Sequence, residues 1–246
     1  MPVDVVLLLI VLAAALTAGL TGFGFNLVSV PLLALYLDPR SAVVVSLLLG
    51  VVASGMLLLS PDTRALIEGR LTLLLFGFSL LGLPIGVLLF STVSPNALKV
   101  AIGLITLVYG LPLLWSHRFR ITAHAYVGAA AGLAGGILAS STGLSGPPAI
   151  VFVHAQRLQP ARLRATLAAY VFLVTVMSLP LLMVTGSVNQ GRVVAALPLI
   201  PAVVIGVLIG RALFTKVAAH LFEKLVIAAL VVMGLADLVT GLVAIR

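Results

Sequence analysis

The sequence predicts an all-α polytopic membrane protein with about eight transmembrane segments, on the basis of its composition and the lengths of its apolar runs. Hydrophobic residues make up 62% of the 246 residues and charged residues 8%, whereas an ordinary soluble domain is roughly 25% charged. The mean hydropathy is +1.33, and about eight spans of ~20 residues would hold nearly all the apolar side chains. We therefore expect contact with a lipid bilayer. The net charge of +8 does not indicate a nucleic-acid partner, because the Lys and Arg residues lie in short breaks between apolar runs.

Residues 1–120 contain four apolar runs. The first covers 3–37 and ends at the turn Asp38-Pro39-Arg40. The next three cover 41–60, 71–92 and 97–116, and they are separated by a charged loop at 61–70 and by the turn Ser94-Pro95-Asn96. These breaks are too short to hold a soluble domain.

Residues 121–246 repeat this organisation. Their apolar runs cover 125–154, 165–184, 193–214 and 224–245, with charged breaks at 117–120, 157–164, 185–192 and 215–223. Shifting the chain by 121 residues lays Thr21-Gly22 on Thr142-Gly143, and a shift of 124 lays Gly86 on Gly210. We predict two repeats, 1–120 and 121–246, which form one integrated transport domain.

The first run of each half is too long for a single span. More than thirty uncharged residues separate Asp4 from Asp38, about 50 Å as a straight helix against a hydrocarbon core of about 30 Å. Glycine-rich stretches interrupt both long runs, at 21–24 and at 140–148. Gly and Pro together predict an unwound stretch between two helical pieces.

The distribution of basic residues favours one of two topologies. If each broken run crosses the membrane once, the loops on the two sides carry six and seven Lys and Arg residues, and this near-equal count does not predict an orientation of the protein. If each broken run enters and returns as a hairpin, nine basic residues lie on one side and four on the other, as the positive-inside rule requires. Each half then makes three net crossings, so the two repeats would be inverted, an arrangement common in secondary transporters.

Unwound backbone inside a membrane is tolerated only where protein or a water-filled cavity satisfies its polar groups, so the two breaks point to a solute path. The helix that starts near Phe25 would direct its first-turn N–H groups and positive dipole end at an anion. Hydroxyl and amide side chains beside the breaks add uncharged donors. The candidate substrate-binding residues are Thr21, Gly22, Gly24, Phe25, Asn26, Ser29 and Pro31 in the first half, and Ser140, Ser141, Thr142, Gly143, Ser145, Gly146, Pro147 and Pro148 in the second.

These residues suit a small anion moved by alternating access between the two breaks, which we expect to face each other near mid-bilayer. The membrane potential alone supplies about 2.3 kcal/mol per charge per 100 mV. No ATPase subunit is therefore needed. A transporter of a cation or neutral metabolite, using the carbonyl ends of the same breaks, remains an alternative. So do a non-transporting scaffold and, with less support, an intramembrane enzyme.

The sequence gives no sign of a catalytic residue, a metal site or a cofactor. Cysteine is absent, and the His, Asp and Glu residues together number ten and are scattered. Asp237 is the one carboxylate clearly at membrane depth, where a functional role such as proton coupling competes with a structural one.

The glycine-rich stretches resemble those of the sulfite exporter TauE/SafE family of membrane permeases. The similarity lies in Thr21-Gly22-Phe23-Gly24-Phe25 leading to Val30-Pro31-Leu32-Leu33, in Thr142-Gly143-Leu144-Ser145-Gly146-Pro147-Pro148, and in Gly82-x-Pro84-x-Gly86. The resemblance implies a bacterial or archaeal inner-membrane permease for sulfite, organosulfonates or related small anions, with a homodimer left open. The chain departs from the family pattern at Phe23, Phe25 and Leu144, which interrupt the glycine runs.

Overall fold

The computed structural model of the protein describes residues 4–114, 124–213 and 219–245, and in these ranges the chain is helical with short connections and no strand. The first half contains α1 (Val5–Thr21), α2 (Phe25–Tyr36), α3 (Pro39–Leu58), the short α4 (Pro61–Ala65), α5 (Gly69–Thr92) and α6 (Pro95–Leu114). The predicted first run is therefore two helices, as expected. The charged loop at 61–70 contains one helical turn that the sequence did not predict.

The second half contains α7 (Ala125–Thr142), α8 (Gly146–Ala155), α9 (Pro160–Val184), α10 (Gln190–Ala196), α11 (Ile200–Leu213) and α12 (Ala219–Ile245). A 3₁₀ turn, Leu197–Leu199, joins α10 to α11, so that Gln190–Leu213 forms one span. That span and α3, α5, α7 and α9 are long and apolar enough to cross a bilayer, and shorter apolar helices accompany them. This confirms the predicted all-helical, polytopic class. The predicted break 117–120 and residues 215–218 of the predicted break 215–223 lie outside the described residues, and residues 219–223 form the start of α12.

Helix boundaries recur along the chain at the offset found in the sequence. The first residues of α2 and α8, of α3 and α9, and of α5 and α10 are each 121 positions apart. Beyond the 3₁₀ turn the matching glycines are 124 positions apart. A three-residue insertion at this turn accounts for the change of offset.

Helix contacts show that the first broken segment returns to the side on which it started. A Cβ on Gly206 would lie 2.7 Å from the Leu12 carbonyl oxygen, and a Cβ on Gly210 would lie 2.4 Å from the Leu16 carbonyl oxygen. Because later residues of α11 contact later residues of α1, the two helices run parallel. At the start of the Gln190–Leu213 span, Arg192 bonds the Ser41 hydroxyl at 3.0 Å and lies 3.6 Å from the Asp38 carboxylate. The starts of α1 and α3 therefore share one face of the bundle, which we call the N-terminal face.

The second broken segment returns in the same way, but to the other side, which we call the opposite face. Glu68, before α5, pairs with Arg162 in the first turn of α9, and its backbone N–H donates to the Thr166 hydroxyl at 3.1 Å. Since α5 and α7 run parallel, α7 starts on the opposite face and α8 comes back to it before α9 begins. Both breaks are hairpin tips, as the charge count favoured.

The remaining helices complete an inverted arrangement of the two halves. The Asn96 side-chain amide donates to the Ala244 carbonyl at 2.7 Å, so α6 and α12 are antiparallel and α12 ends on the N-terminal face. Of the described basic residues, the N-terminal face carries Arg40, Lys99 and Arg192, whereas the opposite face carries Arg64, Arg70, Arg157, Arg162, Arg164, Arg211 and Lys224. The predicted contributions of Arg118, Arg120, Lys216 and Arg246 lie outside the described residues.

Glycine stripes allow the two halves to interlock at very short range. A Cβ on Gly82 or Gly86 of α5 would lie 2.2 Å from the carbonyl oxygens of Leu133 and Ile137 in α7. The contacts of Gly206 and Gly210 with Leu12 and Leu16 reproduce these two contacts in the other half. Small residues permit such close backbone approach in membrane bundles, where packing rather than the hydrophobic effect drives helix association.

The hairpin topology predicts which positions share a side of the membrane. Because the chain has no cysteine, single cysteines can be introduced and labelled with an impermeant maleimide in oriented vesicles. Asp4→Cys and Tyr36→Cys should react from one side, and Asp62→Cys and Gln159→Cys from the other. Reaction of Tyr36→Cys on the side of Asp62→Cys would show that the first segment crosses the membrane instead of returning.

The glycine interlock predicts a large difference between two substitutions in the same helix. Gly86→Ala places a methyl group against the α7 backbone and should destabilise the fold by about 1–3 kcal/mol, the usual effect of overpacking. Gly77→Ala is the matched control, because a Cβ there meets nothing within 4 Å. Thermal unfolding of the purified proteins in detergent measures the difference, and equal melting temperatures would contradict the interlock.

Candidate functional site

The first break is built by two glycines in the left-handed backbone region. Gly22 ends α1 with φ 83° and Gly24 precedes α2 with φ 96°, conformations that favour residues without a Cβ. The Thr21 hydroxyl donates to the Thr17 carbonyl at 2.8 Å and also contacts the Phe23 carbonyl, which braces the turn. No side chain caps the start of α2. The first-turn N–H groups of α2 therefore remain available to a solute.

Beside this break, α2 and α3 carry buried polar side chains without hydrogen-bond partners among the described residues. Asn26 lies one position into α2, and a Cβ on Gly50 of α3 would lie only 2.5 Å from its side-chain oxygen. The helices are antiparallel, so Ser29, about one turn after Asn26, is level with Ser46, one turn before Gly50. We call Asn26, Ser29 and Ser46 the α2–α3 polar cluster.

The α2–α3 polar cluster is buried and unsatisfied. Ser29 and Ser46 are 0% exposed and Asn26 6% exposed. Neither atom of the Asn26 amide and neither serine hydroxyl has a hydrogen-bond partner among the described residues. A buried group left in this state costs about 1–3 kcal/mol, so these groups are candidates for contact with a bound water molecule or solute.

The second break has the same backbone plan and a different polar chemistry. Gly143 ends α7 with φ 76°, and Pro147 and Pro148 lie in the first turn of α8, as the sequence predicted. Because proline has no N–H group, this helix start offers fewer backbone donors than that of α2. Three hydroxyls at this break already donate to backbone carbonyls: Ser140 to Leu83 at 2.7 Å, Ser141 to Ile137 at 2.6 Å and Thr142 to Leu138 at 3.0 Å. Ser145 is also buried.

The expectation that the two breaks face each other near mid-bilayer is wrong, because they lie at different depths. The position of a Cβ on Gly22 would be 2.7 Å from the Cβ of Arg164, near the start of α9 on the opposite face. A Cβ on Gly143 would lie 3.6 Å from Val43, near the start of α3 on the N-terminal face, and 3.1 Å from Val30 in α2. Each hairpin passes the middle of the bundle, and Pro31 and Phe25 of α2 are buried between the two tips.

A small cavity adjoins the first break and part of the α2–α3 polar cluster. Its volume is about 10 Å³, which holds one water molecule at most and is far too small for an oxyanion. The structure therefore describes a closed conformation of this site. The cavity is lined by Ala18, Gly22, Phe23, Gly24, Phe25, Asn26, Gly50, Ser54, Leu57 and Val171.

Two arginines approach the first break from the opposite face. The half-buried Arg164 guanidinium donates to the Gly19 carbonyl at 2.7 Å, at the negative end of the α1 dipole. The backbone of Arg211 packs on Gly19, and its positive charge acts on Arg164. The second break has no such pair, because Val43 occupies the position that corresponds to Arg164.

The candidate residues predicted from the sequence include Asn26 and Ser29 and omit the neighbours that other helices supply. Ser46, Gly50 and Ser54 recur every four residues along α3 and are buried, a polar stripe on one helix face that the spacing could have revealed. Arg164 gave no such signal, since it lies in a charged loop region of the sequence. Among the described residues, no three acidic or histidine side chains lie together, so this part of the chain offers no metal ligand set.

Comparison with known proteins supports the same class. The family described as sulfite exporter TauE/SafE matches residues 7–236, nearly the whole chain. No curated protein and no solved structure matches the chain. Because TauE/SafE proteins are membrane transporters, this protein is a membrane transporter and not an enzyme. The match includes both glycine-rich breaks and six of the eight apolar runs in full: the chain belongs to the sulfite exporter TauE/SafE family.

Proposed function

We propose that the protein is a secondary transporter that moves a small anion, sulfite or an organosulfonate, through a single site at the first break. The observation that carries the proposal is the α2–α3 polar cluster, whose buried amide and hydroxyl groups have no hydrogen-bond partner among the described residues. Together with the uncapped start of α2, it offers several uncharged donors within the bundle. Such a site binds an oxyanion without a permanent ion pair, which permits release.

The two arginines near the first break support an anion over a cation or a neutral solute. Arg164 and Arg211 place positive charge on the approach from the opposite face. Positive charge at the mouth of a site raises the local concentration of anions and lowers that of cations. The face that carries more described basic residues is the cytoplasmic one by the positive-inside rule. An anion leaving the cytoplasm would therefore meet these arginines first, which favours export across the inner membrane.

Transport requires the closed hairpins to move. The cavity of about 10 Å³ cannot admit the solute, and the two breaks approach opposite faces. In an inverted two-repeat transporter, the repeats 1–120 and 121–246 exchange roles as the site opens to one side and then to the other. We infer that the first hairpin gates one side and the second hairpin the other, with Phe23 and Phe25 closing the route at the first break.

Substitutions in the α2–α3 polar cluster should weaken solute binding. We expect purified protein in proteoliposomes to transport at least one of sulfite, sulfoacetate, taurine, sulfate and thiosulfate. Asn26→Leu keeps a side chain of similar shape and removes its amide donor. Since a hydrogen bond to a charged group contributes about 1.5–3 kcal/mol, KM should rise about 10- to 100-fold. Ser46→Ala should act in the same direction.

The control for Ser46→Ala is Ser178→Ala. Ser178 is also a buried helical serine, but its hydroxyl already donates to the Val174 carbonyl at 2.8 Å. This variant should retain the wild-type KM. Equal KM values for Ser46→Ala and Ser178→Ala, or unchanged transport by Asn26→Leu, would refute the proposed site.

A methyl group on Gly50 provides an independent test of the same site. Gly50→Ala should push the Asn26 amide out of place, because the new Cβ would lie 2.5 Å from its oxygen. Since that contact is with the end of a side chain, the fold should survive while flux falls about tenfold or more, the effect of losing one hydrogen bond to a charged solute. Gly55→Ala on the same helix is the control, with a Cβ 3.4 Å from Phe172. Flux measurements that do not distinguish the two variants would count against a solute at Asn26.

A further inference from the structure

A buried carboxyl group lies away from the anion site, between α6 and α12. Asp237 of α12 is 0% exposed, and neither carboxyl oxygen has a hydrogen-bond partner among the described residues. A Cβ on Gly103 of α6 would lie 3.2 Å from the Asp237 Cβ, so the carboxyl group sits on the face of α12 that packs against α6. It lies eight residues before the end of α12, about 12 Å along the helix from the N-terminal face.

A packing role does not explain this side chain. Hydrogen bonds between polar side chains stabilise membrane helix pairs, but the Asp237 oxygens have no hydrogen-bond partner in the part of the chain that the structure describes. An isolated carboxylate in such a place is very costly, whereas the protonated acid is much less so. Burial without a hydrogen-bond partner among the described residues therefore favours the protonated form of Asp237.

The charged and titratable groups on the neighbouring helices leave Asp237 isolated. Helix α12 packs against α6 and α2. On α6, Lys99 lies one turn closer to the N-terminal face than Gly103, and its charge acts on Asp237 without forming an ion pair. Tyr109 of α6 is nearly two turns from Gly103 in the other direction, and Tyr36 of α2 is exposed at the end of its helix.

We propose that Asp237 is the proton-binding site of the transporter, taking a proton from water at one face and releasing it at the other as the bundle alternates. This inference rests on the transport function proposed above. A metal cation is a poor alternative occupant, because a hard cation needs several oxygen ligands and no second oxygen donor pairs with Asp237 in the described structure. The location also suits coupling, since α12 contacts α2, the helix that carries Asn26 and Ser29.

The first experiment needs no solute. Infrared spectra of wild-type protein in lipid, recorded across a pH titration, should show the C=O stretch of a protonated buried carboxyl group that disappears as the pH rises. Asp237→Asn should lack this band, and Asp237→Glu should shift it. A band that is missing from the wild-type protein, or one that persists unchanged in Asp237→Asn or across the whole titration, would overturn the proposal.

The second experiment measures coupling in proteoliposomes with thiosulfate and sulfate as the anions, because both are fully ionised at neutral pH. In the wild-type protein, anion flux should change the internal pH reported by a trapped dye, and a pH gradient at zero potential should alter the flux. Asp237→Asn should lose both effects and retain anion movement down its own gradient. Coupling that survives in Asp237→Asn would show that the proton is carried elsewhere.

A variant of Lys99 separates proton transfer from a structural ion pair. If Asp237 only balanced the charge of Lys99, the double variant Lys99→Gln/Asp237→Asn would regain the pH coupling that Asp237→Asn loses. We expect no such rescue and near-normal coupling in Lys99→Gln alone. If no anion crosses the membrane in any variant, the proposed transport function fails, and the infrared titration still decides the proton site.

Discussion

The structure depends on the requirement that a polypeptide chain turning around inside an apolar bundle must satisfy or conceal its backbone polar groups. The protein meets this requirement twice, with a glycine in the left-handed region at the end of a helix and a new helix beginning within four residues. The Gly143 N–H donates to the Ala139 carbonyl, as in an αL ending, and the Leu144 N–H donates to the Leu138 carbonyl. Because these turns can be buried, each hairpin tip can reach past the middle of the membrane.

Close backbone packing then fixes where the two tips lie. The glycines of α5 and the Gln190–Leu213 span lock against α7 and α1 of the other half, and each of these partners is the first helix of a hairpin. Each half therefore holds the hairpin of the other. A movement of one half relative to the other would carry a hairpin tip with it, which links the packing of the fold to access to the site.

The two halves share a backbone plan and differ in chemistry. Asn26 and the uncapped α2 start correspond to Pro147 and a proline-blocked helix start in the second half, and Arg164 corresponds to Val43. Duplicated halves can thus provide matched gates while only one of them supplies the polar groups for a solute. Asp237, whose buried carboxyl group has no hydrogen-bond partner among the described residues, adds a second specialised position outside both breaks.

The sequence by itself determined the helical class, the positions of the breaks and the offset between the halves, because apolar run length, glycine and proline act locally on the backbone. It also identified Asn26, Ser29 and Asp237, since polar residues inside apolar runs are conspicuous. Only the tertiary structure decided that both segments return as hairpins, that the tips lie at different depths, and that Ser46, Gly50 and Arg164 join the first break. These depend on which helices pack together and in which direction, and contacts between residues far apart in the chain leave no periodic signal in either segment.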